Sequence, residues 1–413
     1  MERTPRRNFR EDQGACEKMK KPAWRFKGNE VNYIKEVLGN GFRAGSDGAF
    51  TSKFEKAFAS KYKTNYGIAF NSGTSTLHAA LLALGCGPGD EVIVPSLTPL
   101  MCGLAIHYTG ATPIYVDSNE NDFLMNPGLL EGLITEKTKV ILVVHMYGGV
   151  CDIESICEIA ERYSLKVLED CAQCHWGFDN QGNLAGTRGD AGSWSFENSK
   201  QLTCGDGGII TTDDPNLATR IRKIGGLGFK TLNADSGAVR TNKALLQNPN
   251  WERFDEIGFN YRMNQLAAAV ALAQVERNDD FIELRILAGE AYLDAIGDSE
   301  LLTPQFVKSG YKHSYYTFSA KFNGDRFGIT WEDFRIKYME FGGDGIYAAS
   351  KLLYQEPIFR DLKIGRGLTP VAESLQKKLM NFTTNQKNKK ERVAQHLAMT
   401  KTLKYFKKVT DKD

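Results

Sequence analysis

The stretch Val140-Ile141-Leu142-Val143-Val144 is apolar at five consecutive positions and leads directly into His145. A strand with one solvent-exposed face would alternate apolar and polar side chains, so an uninterrupted run predicts a strand that is buried on both faces. Such strands are typical of parallel sheets covered by helices on both sides. The stretch therefore predicts an α/β fold of three layers, with a mostly parallel sheet in the middle.

Further β-rich runs lie on both sides of this strand, which we place at Val140–His145, and helical patterns separate them. Two of these patterns are Ser75–Leu84, after a Ser-Gly-Thr start, and Ile153–Tyr163, after Asp152. The alternation predicts one large domain with a seven-stranded sheet. The other six predicted strands are Tyr66–Ala69, Glu91–Val94, Pro113–Val116, Lys166–Leu168, Gly192–Phe196 and Gly208–Thr211.

The pattern changes after Arg262, where Asn264–Arg285 predicts one long helix. Beyond it, the β-rich run Tyr311–Asn323 and a helix near Trp331–Phe341 predict a smaller α+β domain. We therefore expect a flexible arm over residues 1–22, a large domain over residues 23–262 and a small domain over residues 263–413.

The composition excludes several classes of protein. With 52 basic and 50 acidic residues the formal net charge is +2, which gives no reason to expect nucleic acid as a partner. No run of about 18 apolar residues predicts a membrane-spanning helix. Met1–Lys21 is basic and lacks the apolar segment of a secretory signal, so we expect a cytoplasmic protein whose eight cysteines are mostly reduced.

A lysine lies between the last two predicted strands, in Ser195-Phe-Glu-Asn-Ser-Lys200-Gln-Leu-Thr-Cys-Gly-Asp-Gly-Gly208. The glycines after Lys200 let the backbone pass close to a flat ligand. A lysine amine in an environment that lowers its pKa forms Schiff bases readily. A surface lysine before a hairpin would fit this segment equally well, so the segment alone leaves both interpretations open.

Two other passages have the same ambiguity. The predicted strand ending in Val167-Leu-Glu-Asp170 places a carboxylate at its carboxyl end, where parallel sheets bind ligands, although a capping Asp is an alternative. Asn71-Ser-Gly-Thr-Ser75 closes a strand and opens a helix, and free N–H groups there could hold a phosphate or merely be capped. A helix start suited to phosphate, an Asp at a strand end and a Lys in a loop follow one another along the chain. This order is more informative than any one of the three features.

One passage suggests a different kind of protein. Cys171-Ala-Gln-Cys174-His175 matches the pattern for covalent haem attachment, and its first four residues match a redox or metal pair. The absence of an export signal argues against haem, and two small buried thiols are the alternative that we favour. No His-Glu-x-x-His pair occurs, so the sequence predicts no metal site.

Six passages, in this order, are similar to the signature stretches of the DegT/DnrJ/EryC1/StrS family of sugar aminotransferases. The resemblance covers about residues 26–359, which is most of the chain. It implies the fold-type-I architecture of enzymes that depend on pyridoxal 5'-phosphate (PLP), and a homodimer with active sites at the subunit interface. The six passages are Asn71–Ser75, Gly87–Ile93, His145–Gly148, Glu169–Gln173, Ser195–Lys200 and Gly258–Met263.

Carried over residue by residue, the resemblance implies roles for positions that match the family's motifs. Lys200 would join the cofactor covalently and act as the proton carrier. Asp170 would pair with the pyridine nitrogen, and Gln173 would lie near the phenolic oxygen of the ring. The phosphate would be held by Gly73, Thr74 and Ser195, and by Asn260 of the neighbouring subunit.

The resemblance also implies the reaction. An amino group from L-glutamate or L-glutamine would pass to the keto group of a nucleotide-linked sugar, such as a 4-keto-6-deoxy sugar. The segment Gly342–Tyr347 resembles the branch that acts on cyclitols, which keeps a keto-cyclitol open as the acceptor. A sugar dehydratase of this fold carries His where this chain has Lys200. The family also has a stacking aromatic residue at the position of Pro99.

Overall fold

The computed structural model describes residues 23–43, 49–237 and 243–410. The predicted arm over residues 1–22 lies outside the described residues. The strands are β1 Tyr66–Phe70, β2 Glu91–Pro95, β3 Thr112–Val116, β4 Thr138–Val144, β5 Lys166–Asp170, β6 Ala191–Ser195, β7 Gly208–Thr212, β8 Leu302–Pro304, β9 Thr317–Phe322, β10 Ile346–Ala348 and β11 Leu379–Thr383.

Thirteen helices accompany these strands in the described residues, and no α-helix separates β3 from β4 or interrupts the run from β5 to β7. They are α1 Glu30–Gly39, α2 Phe50–Tyr62, α3 Gly73–Ala83, α4 Leu100–Tyr108, α5 Ile153–Arg162, α6 Pro215–Gly225, α7 Lys243–Leu246, α8 Gln265–Glu276, α9 Asn278–Ile296, α10 Trp331–Glu340, α11 Pro357–Asp361, α12 Pro370–Lys378 and α13 Lys389–Thr410. Short 3₁₀ turns are found at Trp24–Phe26, Pro127–Leu129, Glu131–Leu133, Met146–Gly148, Gly324–Phe327 and Leu353–Gln355.

The first seven strands form one sheet in the order β1-β7-β6-β5-β4-β2-β3. Strand β7 pairs antiparallel with both of its neighbours, and the pairs from β6 to β3 are parallel. A hydrophobic core lies on each face of the sheet, one beneath α3 to α6 and one beneath α2 and α8. The predicted three-layer fold with a mostly parallel seven-stranded sheet is therefore confirmed, with strand ends shifted by at most two residues.

The carboxyl ends of β1, β4, β5 and β6 all lie at the same edge of this sheet, because these strands run in the same direction. The residues that follow or close them are Asn71, His145, Asp170 and Ser195. Since ligands of open α/β sheets bind at this edge, the topology brings the predicted site residues together.

The predicted single helix over Asn264–Arg285 is wrong, because the chain breaks at Arg277 into α8 and α9. Arg277 has φ −111° and ψ 16°, and its guanidinium donates to the carbonyl of Arg25 while lying over the ring of Phe281. The hydrogen bond to Arg25 is a tertiary contact, and it holds the break. Because α8 packs in the core of the large sheet, we propose that the domain boundary follows Glu276 rather than Arg262.

The second sheet is antiparallel, in the order β10-β11-β9-β8, and packs with α9, α10 and α13 around a third core. The predicted helix near Trp331–Phe341 forms as α10, and Thr330 and Asp333 close its first turn as a capping box. Within the ranges that the structure describes, no helix is long and apolar enough to cross a membrane.

Candidate active site

The start of α3 offers free backbone N–H groups beside Ser195. The Ser72 side chain caps the helix by accepting the Ser75 N–H at 3.2 Å. Helix geometry leaves the N–H groups of Gly73 and Thr74 without an intrahelical acceptor. A Cβ on Gly73 would lie 2.7 Å from the Cβ of Ser195, so only glycine fits here. Gly73, Thr74 and Ser195 thus form a cradle with the chemistry of an anion site.

Asp170 is a buried carboxylate with weak partners. Its Oδ1 accepts the Ala172 N–H at 2.9 Å, and its Oδ2 accepts the thiol of Cys102 at 3.2 Å. Burial raises the pKa of Asp170 above its ordinary value, although these two hydrogen bonds and the nearby Lys200 ammonium oppose the shift. A buried carboxylate with so little compensation is suited to a cationic ligand.

Lys200 is half-buried in the loop between β6 and β7, as predicted. Its Nζ lies 4.9 Å from the ring centroid of Tyr316, which belongs to the small domain. The loop backbone is held by the guanidinium of Arg25, which donates to the carbonyls of Asn198 at 2.9 Å, Lys200 at 2.5 Å and Gln201 at 3.0 Å. The backbone at Lys200 is therefore fixed, while its amine has no hydrogen-bond acceptor among the described residues.

Gln173 is held through its side chain and through its backbone. Its Oε1 accepts the Tyr147 N–H at 2.9 Å, and its backbone carbonyl accepts the Gln201 side chain at 3.1 Å. Tyr147 adopts a left-handed φ of 64°, which is costly for a bulky residue and indicates a constrained turn. The bond to Tyr147 fixes Oε1 as an acceptor, so Nε2 remains as the donor that Gln173 can offer to a ligand.

Asn260 lies close to the anion cradle along the backbone. The Asn71 N–H donates to the Tyr261 carbonyl at 2.8 Å, so the segment around Asn260 pairs with the residues just before Gly73. The side chain of Asn260 is exposed. Its contact with the phosphate of the neighbouring subunit's cofactor stays a prediction.

In the Cys171-Ala-Gln-Cys174-His175 passage, the two cysteines and the histidine are all buried. Burial raises the pKa of the Cys174 thiol to about 12 and lowers the pKa of His175 to about 3. The sulfur atoms pack against glycine backbone, where a Cβ on Gly177 would lie 2.5 Å from Cys174 Sγ. Haem attachment requires accessible thiols, so the burial supports the prediction of two small packed side chains.

A possible metal-ligating group lies nearby, in which His145, Glu169 and Cys171 are within 4.8 Å of one another. The carboxylate of Glu169 already accepts the N–H groups of Gly186, Arg188 and Gly189 at 2.7–2.8 Å, as well as His145 Nε2 at 3.0 Å. Burial alone would raise the pKa of Glu169, but the His145 and backbone hydrogen bonds lower it. These hydrogen bonds give the cluster a structural role, which is to hold the ends of β4 and β5 together.

The sequence did not reveal Arg25, Cys102 or Tyr316 as site residues. Cys102 could have been found from Pro99, because the Pro99 carbonyl accepts the Cys102 N–H at 3.1 Å in the first turn of α4. Arg25 and Tyr316 lie more than 100 residues from Lys200 along the chain, and no local pattern connects them. Pro99 itself, where the family resemblance implies an aromatic residue, is the N-cap residue of α4.

Comparisons with known proteins identify the family to which this chain belongs. Residues 25–398 match the model of the DegT/DnrJ/EryC1/StrS aminotransferase family. The GDP-perosamine synthase of Caulobacter vibrioides is 41% identical over 264 residues, which are 63% of this chain and 65% of that protein. The matched part thus spans slightly less than two thirds of the relative.

Two solved structures share the fold. An aminotransferase from Psychrobacter cryohalolentis superimposes with a TM-score of 0.82 at 26% identity, over 92% of this chain and 97% of that one. NtdA from Bacillus subtilis, solved with bound cofactor PMP, gives a TM-score of 0.75 at 27% identity, over 92% and 83% of the two chains. These neighbours confirm the fold-type-I architecture. The chain therefore belongs to the DegT/DnrJ/EryC1/StrS aminotransferase family and is a transaminase.

Proposed function

We propose that this enzyme uses PLP to move an amino group from L-glutamate or L-glutamine to the keto group of a nucleotide-linked sugar. One observation carries the proposal. The buried carboxylate of Asp170, whose pKa burial raises, shares the edge of the sheet with Lys200 and with the anion cradle at Gly73. These three groups match the three parts of PLP. The buried acid suits the pyridine ring, the amine suits the aldehyde and the anion site suits the phosphate.

The residues present fit PLP. Gly73, Thr74 and Ser195 would hold the phosphate, since the helix start gives N–H donors and the Gly73–Ser195 contact leaves no room for a side chain. Asp170 would face the pyridine nitrogen, and Gln173 Nε2 would donate to the phenolic oxygen. When bound, the cofactor withdraws electrons from the Cα–H bond of the donor and makes that proton acidic.

The protein's part in the chemistry is to orient groups and to move one proton. Asp170 keeps the ring nitrogen protonated, because a carboxylate in a dry site strongly favours a cation beside it. When it is not joined to the cofactor, the Nζ of Lys200 would accept the proton from the donor Cα and deliver it to the cofactor carbon two bonds away, on the other side of the amino nitrogen. Arg25 fixes the Lys200 backbone, so this short transfer needs rotation of the side chain only.

The acceptor is inferred from the relatives. The name of the Caulobacter relative refers to a GDP-linked amino sugar, which supports a nucleotide-linked keto sugar over a keto-cyclitol. Lys200 argues against a sugar dehydratase, since a side chain without a primary amine cannot join the cofactor covalently.

We also propose that the enzyme is a homodimer. Three apolar side chains flank Asn260 on the surface of the chain, and Phe254 and Ile257 are 55% and 88% exposed. Phe259, next to Asn260, is also partly exposed. Exposed apolar clusters of this kind are typical of interfaces, and covering them would bring Asn260 against a second subunit.

The test uses the PLP-loaded enzyme and ¹⁵N-labelled L-glutamate, with a GDP-linked 4-keto-6-deoxy hexose or scyllo-inosose as the acceptor. We expect glutamate to bleach an absorbance band near 400–430 nm, roughly where PLP joined to lysine absorbs. Mass spectrometry should then find ¹⁵N in the GDP-sugar. Lys200→Ala should show neither change. Label in scyllo-inosose alone would reassign the acceptor, and the absence of any band with PLP supplied would refute the proposal.

A further inference from the structure

Tyr316 is the aromatic side chain that lies against the amine of Lys200. The Nζ of Lys200 is 4.9 Å from the centroid of the Tyr316 ring, which is within the range of a cation–π contact. Tyr316 is the residue just before β9, in the small domain, whereas Lys200 belongs to the large domain. The resting position of the amine is therefore formed by two domains together.

The ring of Tyr316 is oriented by a directed chain of hydrogen bonds. Its hydroxyl lies 3.0 Å from the Ser199 Oγ, and that Oγ lies 2.5 Å from the carboxylate of Glu197. Since a carboxylate only accepts and a serine hydroxyl has one proton, Ser199 donates to Glu197. Tyr316 must then donate to Ser199. The hydroxyl end of the ring is thus attached to the same loop that carries Lys200.

The backbone of Tyr316 is held from the opposite side. Its carbonyl accepts the buried guanidinium of Arg285 at 2.7 Å and the hydroxyl of Thr384 at 2.9 Å. The guanidinium of Arg285 also lies 5.8 Å from the ring centroid. With its carbonyl and its hydroxyl both fixed, the ring is a rigid surface rather than a side chain free to rotate.

We propose that Tyr316 is the positioning residue for Lys200, and that its ring face holds the amine whenever the amine is not joined to PLP. This inference rests on the proposed function. A ring face attracts the ammonium form without occupying its protons, so it keeps the amine close without competing for the proton in transit. A hydrogen-bonding partner such as a carboxylate would instead retain that proton.

The experiment compares two substitutions that separate ring from hydroxyl. Tyr316→Leu removes the ring, whereas Tyr316→Phe keeps it and loses only the bond to Ser199. In the PLP-free protein, reductive methylation of Lys200 is followed by mass spectrometry, because this reaction requires the free-base amine. We expect labelling of Lys200 to become about two- to fivefold faster in Tyr316→Leu, the factor that a surface cation–π contact supplies, and to stay near wild type in Tyr316→Phe.

Three controls define the outcome. Tyr347→Leu makes the same change at a tyrosine that is 61% exposed in the same domain, and should leave labelling unchanged. Ser199→Ala should reproduce Tyr316→Phe. Tyr316→Met replaces the leucine variant if circular dichroism shows that the latter is unfolded. In the loaded enzyme, kcat should fall in Tyr316→Leu with the KM for glutamate preserved.

Equal labelling rates in wild type and Tyr316→Leu would overturn the proposal, and so would an acceleration of labelling in Tyr316→Phe as large as in Tyr316→Leu. The labelling measurement needs no cofactor and no substrate. If the proposed transamination is wrong, the wild-type enzyme will not react with glutamate. The comparison of labelling rates between the Tyr316 variants can still be interpreted in that case.

Discussion

Asp170 shows how a residue that we propose serves the cofactor can weaken the protein without it. Its carboxylate is buried at the end of β5 with one N–H and one thiol as partners, and burial raises its pKa. A carboxyl group whose pKa is higher in the folded state stabilises the fold only at low pH. That contribution is lost as the pH rises through the folded pKa, so the ionised Asp170 costs free energy at neutral pH.

We therefore predict that Asp170→Asn makes the PLP-free protein more stable at pH 7.5 and lowers transamination by about 10²-fold or more, as loss of a charge partner for the reacting ring would. Urea unfolding of the PLP-free proteins at pH 7.5 measures the first effect. Asp325→Asn, at an exposed turn, is the control and should change neither quantity. A destabilised Asp170→Asn protein would show that the charge is compensated better than its contacts suggest.

Single residues were also what the sequence predicted best at this site. Asp170 and Lys200 follow from a strand end and a glycine-flanked loop, which are local patterns, and Gly73 follows from a helix start. Tyr316 could not be predicted, because its contact with Lys200 depends on how the small domain packs on the large one. Cys102 is intermediate, since it lies one turn after Pro99 but its bond to Asp170 joins α4 to the carboxyl end of β5.

At the scale of elements, the loop between β6 and β7 depends on the segment Trp24–Phe26 for its shape. Arg25 donates to three carbonyls of this loop, and its own carbonyl accepts the side chain of Gln274 at 2.9 Å. The short 3₁₀ turn thus connects α8 to the loop that presents Lys200. A lysine in place of Arg25 has no planar fork of donors with which to reach all three carbonyls.

We predict that Arg25→Met lowers kcat roughly 10- to 100-fold, because small displacements of a reacting group have effects of that size. The fold should persist, since the substitution touches a turn outside the main cores. Steady-state kinetics and limited proteolysis of the loop measure the two effects. Lys27→Met, at an exposed position of the same segment, should behave as wild type. Equal kcat values for Arg25→Met and wild type would contradict this role.

Elements with a local signal were predicted well, and the exception has a tertiary cause. The seven strands of the large sheet follow from local β-rich runs, whereas the break between α8 and α9 was not predicted. The acidic start Asn278-Asp279-Asp280 was a local sign of a new helix. What holds the break, however, is the hydrogen bond from Arg277 to the Arg25 carbonyl, and a contact between distant segments cannot be read from helical periodicity.

At the scale of the whole molecule, two buried histidines connect the packing of both domains to pH. Burial lowers the pKa of His175 to about 3 and that of His313 to about 3. The unfolded chain binds protons at both positions below about pH 6.5, whereas the folded protein keeps them neutral. Their contribution to stability is therefore complete above that pH and is lost as the pH falls towards the folded values.

We predict that the free energy of unfolding decreases between pH 6.5 and 4, by on the order of 1 kcal/mol per pH unit for each histidine. Urea unfolding of the PLP-free protein at a series of pH values measures the slope. His313→Gln should make the slope shallower, while His107→Gln, at an exposed position, should not. A stability that does not change over this range would show that other groups compensate the two histidines.

The reversed strand β7 has a consequence for how the active site tolerates change. Its amino end, Gly208, pairs with Ser195 at the carboxyl end of β6, so the serine that we propose binds phosphate and the lysine loop belong to one hairpin. A slip of one residue in that pairing would turn Ser195 towards the opposite face of the sheet and displace Lys200 with it. Single-residue insertions between Phe196 and Gly207 should thus be far less tolerated in natural variants than insertions in turns at the far edge.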